Sequence, residues 1–252
     1  MRTSQTFSKY LVACSVALAM ALSVSVFGAQ SGAEGSAVAK KVSGTVKYSN
    51  PGGSWQALTE ETVLKAGDTI QTAGDGTADL WFNNSDVISI GAGSTVTIEK
   101  LTKISAEDSG TSLNLQLGSI IGNVKKISKA SHFDIRTPNG VAGIRGTMFS
   151  ISVKSLDNGK FQVIFTCVEG LVVVATPNVV GEPTLTTLND QMSYTTGIGE
   201  AVVGKLSESD YQRVKQELDG LTPPPAPSKH GGPEGNPNGG NVIEISSPTT
   251  SH

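Results

Sequence analysis

From Val38 to about Val203 the chain is written in short segments where apolar and polar residues trade places at every second position, with Gly, Asn and Asp between them. A period of two puts one set of side chains on each face of an extended strand, so the pattern predicts β-structure. Candidate strands are 42–48, 69–72, 78–82, 87–90, 95–99, 113–117 and 120–124, then 132–136, 148–153, 161–168, 171–175, 184–188 and 192–195. Their spacing of roughly eight to twelve residues is the rhythm of a compact β-sandwich or roll, with a short irregular β-solenoid as the alternative. The clearest unit is 148–175. Asp157-Asn158-Gly159 offers a turn, Phe161, Val163, Phe165 and Cys167 share one face, and Glu169-Gly170 offers a second turn. A three-strand meander is expected there.

Composition narrows the class further. Only 16% of residues are charged and 5% aromatic, while glycine reaches 29 of 252. Helix bundles and coiled coils need Ala, Leu, Glu and Lys in bulk, and this chain lacks them. A formal charge of −3 argues against nucleic acid as a partner. Two cysteines and three histidines exclude zinc cages, and no metal or cofactor is expected.

The first residues read as a targeting signal. Arg2 and Lys9 lie in a polar lead, no Asp or Glu appears before Glu34, and 11–29 is an apolar run ending in small residues. A secretory signal peptide over 1–29 follows, cleaved between Gly28 and Ala33. An uncleaved anchor is the rival, since the run is barely long enough to span a bilayer. Leu11-Val12-Ala13-Cys14 resembles a lipoprotein box, but the apolar core follows that cysteine instead of preceding it. Cleavage removes two bases and no acid, taking the formal charge from −3 to −5, and leaves Cys167 alone, without an intrachain disulfide partner.

Past the β-domain, expected over 38–203, comes one short amphipathic helix at 207–219. Ser207 or Ser209 caps it, Tyr211, Val214 and Leu218 form its stripe, and Gly220 ends it. Residues 221–252 are predicted to be a disordered tail, with seven of the chain's eleven prolines and no aromatic residue. Val242-Ile243-Glu244-Ile245 is the exception there, a run suited to pairing with a sheet edge.

Chemistry is hard to place on this sequence. Cys167 and His132 are the one thiol–imidazole pairing, yet the strand face of Cys167 marks it as a buried hydrophobe. Asp75, Asp79, Asn83, Asn84 and Asp86 are oxygen-rich, but hairpin turns account for them without calcium. Gly140 to Thr147 lacks the lysine of a phosphate loop and reads as a tight crossover, with Gly146 expected at φ > 0. Lys125, Lys126 and Lys129 read as a solvated edge. No catalytic residue is assigned.

Two stretches resemble the FecR domain family. The first is Leu64-Lys65-Ala66-Gly67-Asp68-Thr69-Ile70-Gln71-Thr72, continuing through Asp79-Leu80-Trp81-Phe82 and Gly93-Ser94-Thr95-Val96. The second is Phe133-Asp134-Ile135-Arg136-Thr137-Pro138 with Arg145-Gly146-Thr147-Met148-Phe149. The resemblance covers about 42–174. Asn83-Asn84-Ser85 stands where the family usually shows Asp-Gly-Ser. Membrane-bound members carry a cytoplasmic sigma-factor-binding segment before their membrane helix, whereas ten residues precede the apolar run here, so sigma-factor regulation is not carried over. The resemblance implies an all-β recognition domain.

Taken together, these features point to an extracytoplasmic bacterial protein, periplasmic or secreted, with no stable membrane insertion after cleavage. Its expected role is non-catalytic recognition of an envelope protein partner, with signalling as the context. The alternative is a structural or adhesive scaffold that binds polysaccharide, and an enzyme built on Cys167 is the third reading. Arg136 and Arg145 are the candidate partner contacts, as planar donors for an acidic group. N-terminal sequencing of exported protein should find a chain beginning between Gln30 and Glu34; a membrane-fraction chain beginning at Met1 would show an anchor instead.

Overall fold

Three strands of sixteen residues organise the molecule: β10 (Ser109–Val124), β12 (Gly140–Ser155) and β13 (Phe161–Thr176). The computed structural model describes residues 33–82, 86–103, 109–125, 131–178 and 181–221. Before β10 come β1 (Ala33–Glu34), β2 (Ala37–Ser43), β3 (Val46–Ser49), β4 (Gln56–Ala57), β5 (Val63–Leu64), β6 (Thr69–Thr72), β7 (Thr77–Phe82), β8 (Val87–Ile90) and β9 (Thr95–Lys103). The others are β11 (His132–Thr137), β14 (Thr184–Leu188), β15 (Met192–Thr196), β16 (Val202–Lys205) and one helix, α1 (Glu208–Asp219). All sixteen strands join one sheet, antiparallel except for the β10–β11 pair. One cluster of buried side chains collects residues from β2 through β15, so the sheet wraps its own core. Among the described residues the fold is all-β with one short helix, as the sequence predicts.

Each long strand changes its partners half-way. The first half of β10 lies between β9 and β11, and its second half between β8 and β12. The change falls at a glycine with positive φ: Gly118 (φ 90) in β10, Gly146 (φ 61) in β12 and Gly170 (φ 97) in β13. At each one the parity of the buried residues flips. Leu113 and Leu115 are buried before Gly118, then Ile120 and Val124 after it. Ala142 and Ile144 give way to Phe149, Ile151 and Val153, while Val163, Phe165 and Cys167 give way to Val172 and Val174. One residue in the left-handed region acts as a bulge, bending the strand while keeping its apolar set on the core.

The backbone groups freed at these bends are met by buried hydroxyls. Thr147 donates to the Leu171 carbonyl (2.8 Å) and accepts from the Leu171 amide (3.1 Å), across the break in β12–β13 register. Thr72 and Ser94 both donate to the Gly91 carbonyl (2.7 Å each), and Ser94 accepts from the Ser119 amide (2.9 Å). A Cβ at Gly170 would overlap the Gly146 carbonyl oxygen, and one at Gly118 would overlap the Ser94 side chain. Glycine is required at both positions.

These bends correct several expectations. The stretch 140–147 is not a crossover loop but the first half of β12, and Glu169-Gly170 is a bend inside β13 instead of a turn. The expected meander is therefore one long hairpin, closed by Asp157-Asn158-Gly159 with Gly159 at φ 73. Residues 113–117 and 120–124 are one strand, whereas 42–48 is broken into β2 and β3 at Gly44 (φ 65). The turn at Asp75 joins β6 and β7, which do not pair with each other, so it is not a hairpin. The strand β16 was not anticipated. Signal region 1–29, Asn83-Asn84-Ser85, Lys126, Lys129 and residues from 222 onward lie outside the described residues.

The helix forms where its sequence predicts. The Ser207 hydroxyl accepts from the Asp210 amide (3.1 Å) and donates to its carboxylate (2.7 Å), which holds the Asp210 carboxyl below its ordinary pKa. Gly220 ends α1 in a right-handed conformation. Val214, Leu218 and Leu221 pack on Val87 and Val168, flanked by Trp81, Ile121 and Met148. Leu221, placed by sequence in the tail, is buried there. The helix thus covers the outer face of the sheet's β8–β10–β12–β13 region.

Replacing Gly146 with valine should cost several times the roughly 0.5–1 kcal/mol of an ordinary glycine substitution. Gly143→Ala, where a Cβ meets nothing closer than 3.6 Å, should stay within about 0.5 kcal/mol. Thermal melting of both variants tests this, and an unchanged midpoint for Gly146→Val would overturn the bend account.

Candidate functional site

The outer face on the other side of the bends carries no helix among the described residues. Here the outward residues are those before Gly118 and Gly146 and those after Gly170. Glu99 of β9 is its polar centre: its carboxylate accepts from Ser112 (3.3 Å), from Asn114 (3.2 Å) and from Arg136 Nε (3.0 Å). Beside it Val141, Val173 and Ala175 are half-buried, and Leu171 and Leu185 are exposed, at 37% and 66%. An open groove of about 790 Å³ runs over Glu99, Asn114, Gln116, Arg136, Val141 and Ala175, with Pro138, Pro177 and Pro183 on its rim.

Arg136 and Arg145 both lie on this face, yet they are not brought together. Arg136 stands opposite Val141 in the β11–β12 register, four residues from Arg145, roughly 13 Å along the strand. Arg136 is engaged by Glu99, an exposed ion pair worth about 0–1 kcal/mol. Arg145 is exposed and makes no ion pair or hydrogen bond among the described residues. Its neighbour across the β12–β13 register is Leu171. Since 140–147 is strand and not crossover, Arg145 marks the edge of a bend. Glu99, Leu171 and Leu185 escaped the sequence reading. The signal for the leucines was the parity change at Gly170, which turns 171, 173 and 175 outward.

Other candidates disperse. His132 opens β11, exposed, opposite Gly110 of β10, while Cys167 lies in β13 with β12 between them. Asp75 accepts from the Thr45 hydroxyl (3.2 Å), and the buried Asp86 accepts from the Lys125 amide (2.9 Å). Among the described residues no group of three His, Cys, Asp or Glu side chains could hold a metal ion. No helix among them is long and apolar enough to cross a membrane.

Residues 68–173 match the family model described as FecR protein. Over that stretch the chain is similar to FecR proteins. No curated protein sequence matches the chain. Two solved structures of a candidate anti-sigma factor from Parabacteroides distasonis ATCC 8503 are similar to it. One is 16% identical over 60% of this chain and 65% of that chain, with a TM-score of 0.47. The other is 14% identical over 58% and 62%, with a TM-score of 0.45. The chain thus spans less than two thirds of each.

The FecR motifs are mostly structural devices. Gly67 (φ 94) passes close to Pro51, and buried Asp68 accepts from the Lys65 amide (2.8 Å) and the Asn50 side chain (2.7 Å). Ile70 fills the core, and the Thr72 hydroxyl bridges the Gly91 carbonyl and the Ser94 amide. In the second motif Gly146 bends, Thr147 bridges and Phe149 packs against Phe133 with ring centroids 6.4 Å apart. Arg145 of that motif is exposed and makes no ion pair or hydrogen bond among the described residues.

Cys167, within the matched stretch, is wholly buried beside Phe165. Burial, with the Asp190 carboxylate nearby, pushes its thiol from 9.0 up to about 11. Such a thiol is inert at neutral pH. Because the folded state holds the proton more tightly than the unfolded chain, stability should fall as pH rises from 9 towards 11. Cys167→Ala should lose that slope in denaturant titrations, and rapid alkylation of the native protein at pH 7 would overturn the inert assignment.

Proposed function

We propose that this chain is a non-catalytic, extracytoplasmic binding module of a bacterial envelope, engaging a protein partner in a signalling context. The carrying observation is the outer face beyond the bends. Among the described residues nothing covers it, it is part apolar, and its Arg145 has a guanidinium without an ion-pair partner. The opposite half shows what a covered face of this sheet looks like, because α1 buries Val214 and Leu218 on it. The FecR domain match supports a recognition role, and the acid-free basic lead with its apolar run supports export.

Arg145 would supply planar donors for a carboxylate, with Leu171 beside it as an apolar contact. Arg136 contributes less, since an acidic partner must compete with Glu99. The second reading, a polysaccharide-binding scaffold, is favoured by the groove where Asn114 and Gln116 offer amides beside Glu99.

Capture of envelope components separates the two. Wild type should retain a defined protein, Arg145→Ala and Leu171→Asp should each lose about tenfold in affinity, equivalent to about 1.4 kcal/mol, and Arg136→Ala should lose less. Equal capture by all four chains would sink this face as the contact, and retention of bulk polysaccharide instead would favour the scaffold.

A further inference from the structure

The sheet ends on an open edge. Strand β16 (Val202–Lys205) pairs with β15 on one side and with no described strand on the other. A free edge offers backbone donors and acceptors to any extended segment that reaches it. Val202 is 62% and Val203 45% exposed, and as neighbours in a strand they face opposite sides, so neither face of β16 is covered. Ile198 beside them is 53% exposed. The other open edges are poorer templates. Those of β1, β4 and β5 are two residues long, and β14 carries no cation to set against an acidic strand.

We propose that Val242, Ile243, Glu244 and Ile245 of the same molecule pair along the open edge of β16. Three β-branched apolar residues in four have high strand propensity, and Gly239-Gly240-Asn241 before them and Ser246-Ser247-Pro248 after them punctuate a strand. Twenty residues separate Leu221 from Val242, and a flexible linker of that length spans about 25 Å. That tether gives the segment an effective concentration near the millimolar range, ahead of a second copy in dilute solution. A parallel register that sets Glu244 beside the exposed Lys205 also sets Val242 beside Val203. Occupied in this way, the edge is closed to strand addition by other chains.

Amide hydrogen exchange of the full-length chain tests the pairing. Amides of β16 should exchange about tenfold faster in Ile243→Pro than in wild type, with the rest of the sheet unchanged, because proline removes a donor and clashes in a paired strand. A peptide spanning 238–249, added in millimolar excess to Ile243→Pro, should restore the slow exchange. Equal β16 exchange in wild type and Ile243→Pro would overturn the pairing. Protection that fades on dilution of wild type would also overturn it, assigning the edge to a second copy.

Discussion

A strand of sixteen residues that must follow a curved core cannot keep one parity of side chain inward along its whole length. The three long strands meet this constraint identically, with a left-handed glycine at the middle: Gly118, Gly146 and Gly170. Each bends the backbone and exchanges odd for even on the buried face. Without that shift, half of each strand would turn its leucines, isoleucines and valines to water. Bending a strand breaks ladder bonds inside the protein, where an unpaired amide costs about 1–3 kcal/mol. Ser94 and Thr147 answer that cost, and their hydroxyls are buried because the bends are buried.

The bends also divide the outer surface. One side receives α1, whose Val214 and Leu218 stripe continues into Leu221 and lies over Trp81, Ile121 and Met148. The other side keeps a polar network at Glu99 next to an apolar strip on β12 and β13. With a single cysteine in the described domain and that one wholly buried, cohesion comes from the continuous core and not from cross-links. The Phe82–Phe133 and Phe133–Phe149 contacts tie β7, β11 and β12 across that core.

Much of this was legible in the residues. The alternation gave the strand class, Asp157-Asn158-Gly159 gave the turn of the long hairpin, and Ser207 with Tyr211, Val214 and Leu218 gave the helix. The bends were misread because a glycine between two apolar runs looks the same whether the chain reverses or merely changes parity. Local sequence does not separate those outcomes; the partner strands do. Gly146 was rightly expected at positive φ, but within a strand instead of beside a turn. At the site, Arg136 and Arg145 were legible as outward charges. The Glu99 contact that occupies Arg136 was not, since it links β9 and β11 through a sheet register that no local pattern encodes.

The bends explain why Arg145 is well placed to bind at all. It precedes Gly146, whose carbonyl lies against Gly170, and it is followed by Thr147, which grips both the amide and the carbonyl of Leu171. Those contacts fix the backbone on both strands just where Arg145 and Leu171 stand opposite each other. A guanidinium on a loop would lose backbone freedom on meeting a partner, a cost set against every contact it makes. On this corner the backbone is already ordered by the same groups that stabilise the fold, leaving only side-chain rotamers to be fixed. A cation and an apolar neighbour are therefore presented in constant geometry, and the device that bends the sheet is also the one that holds the proposed contact pair.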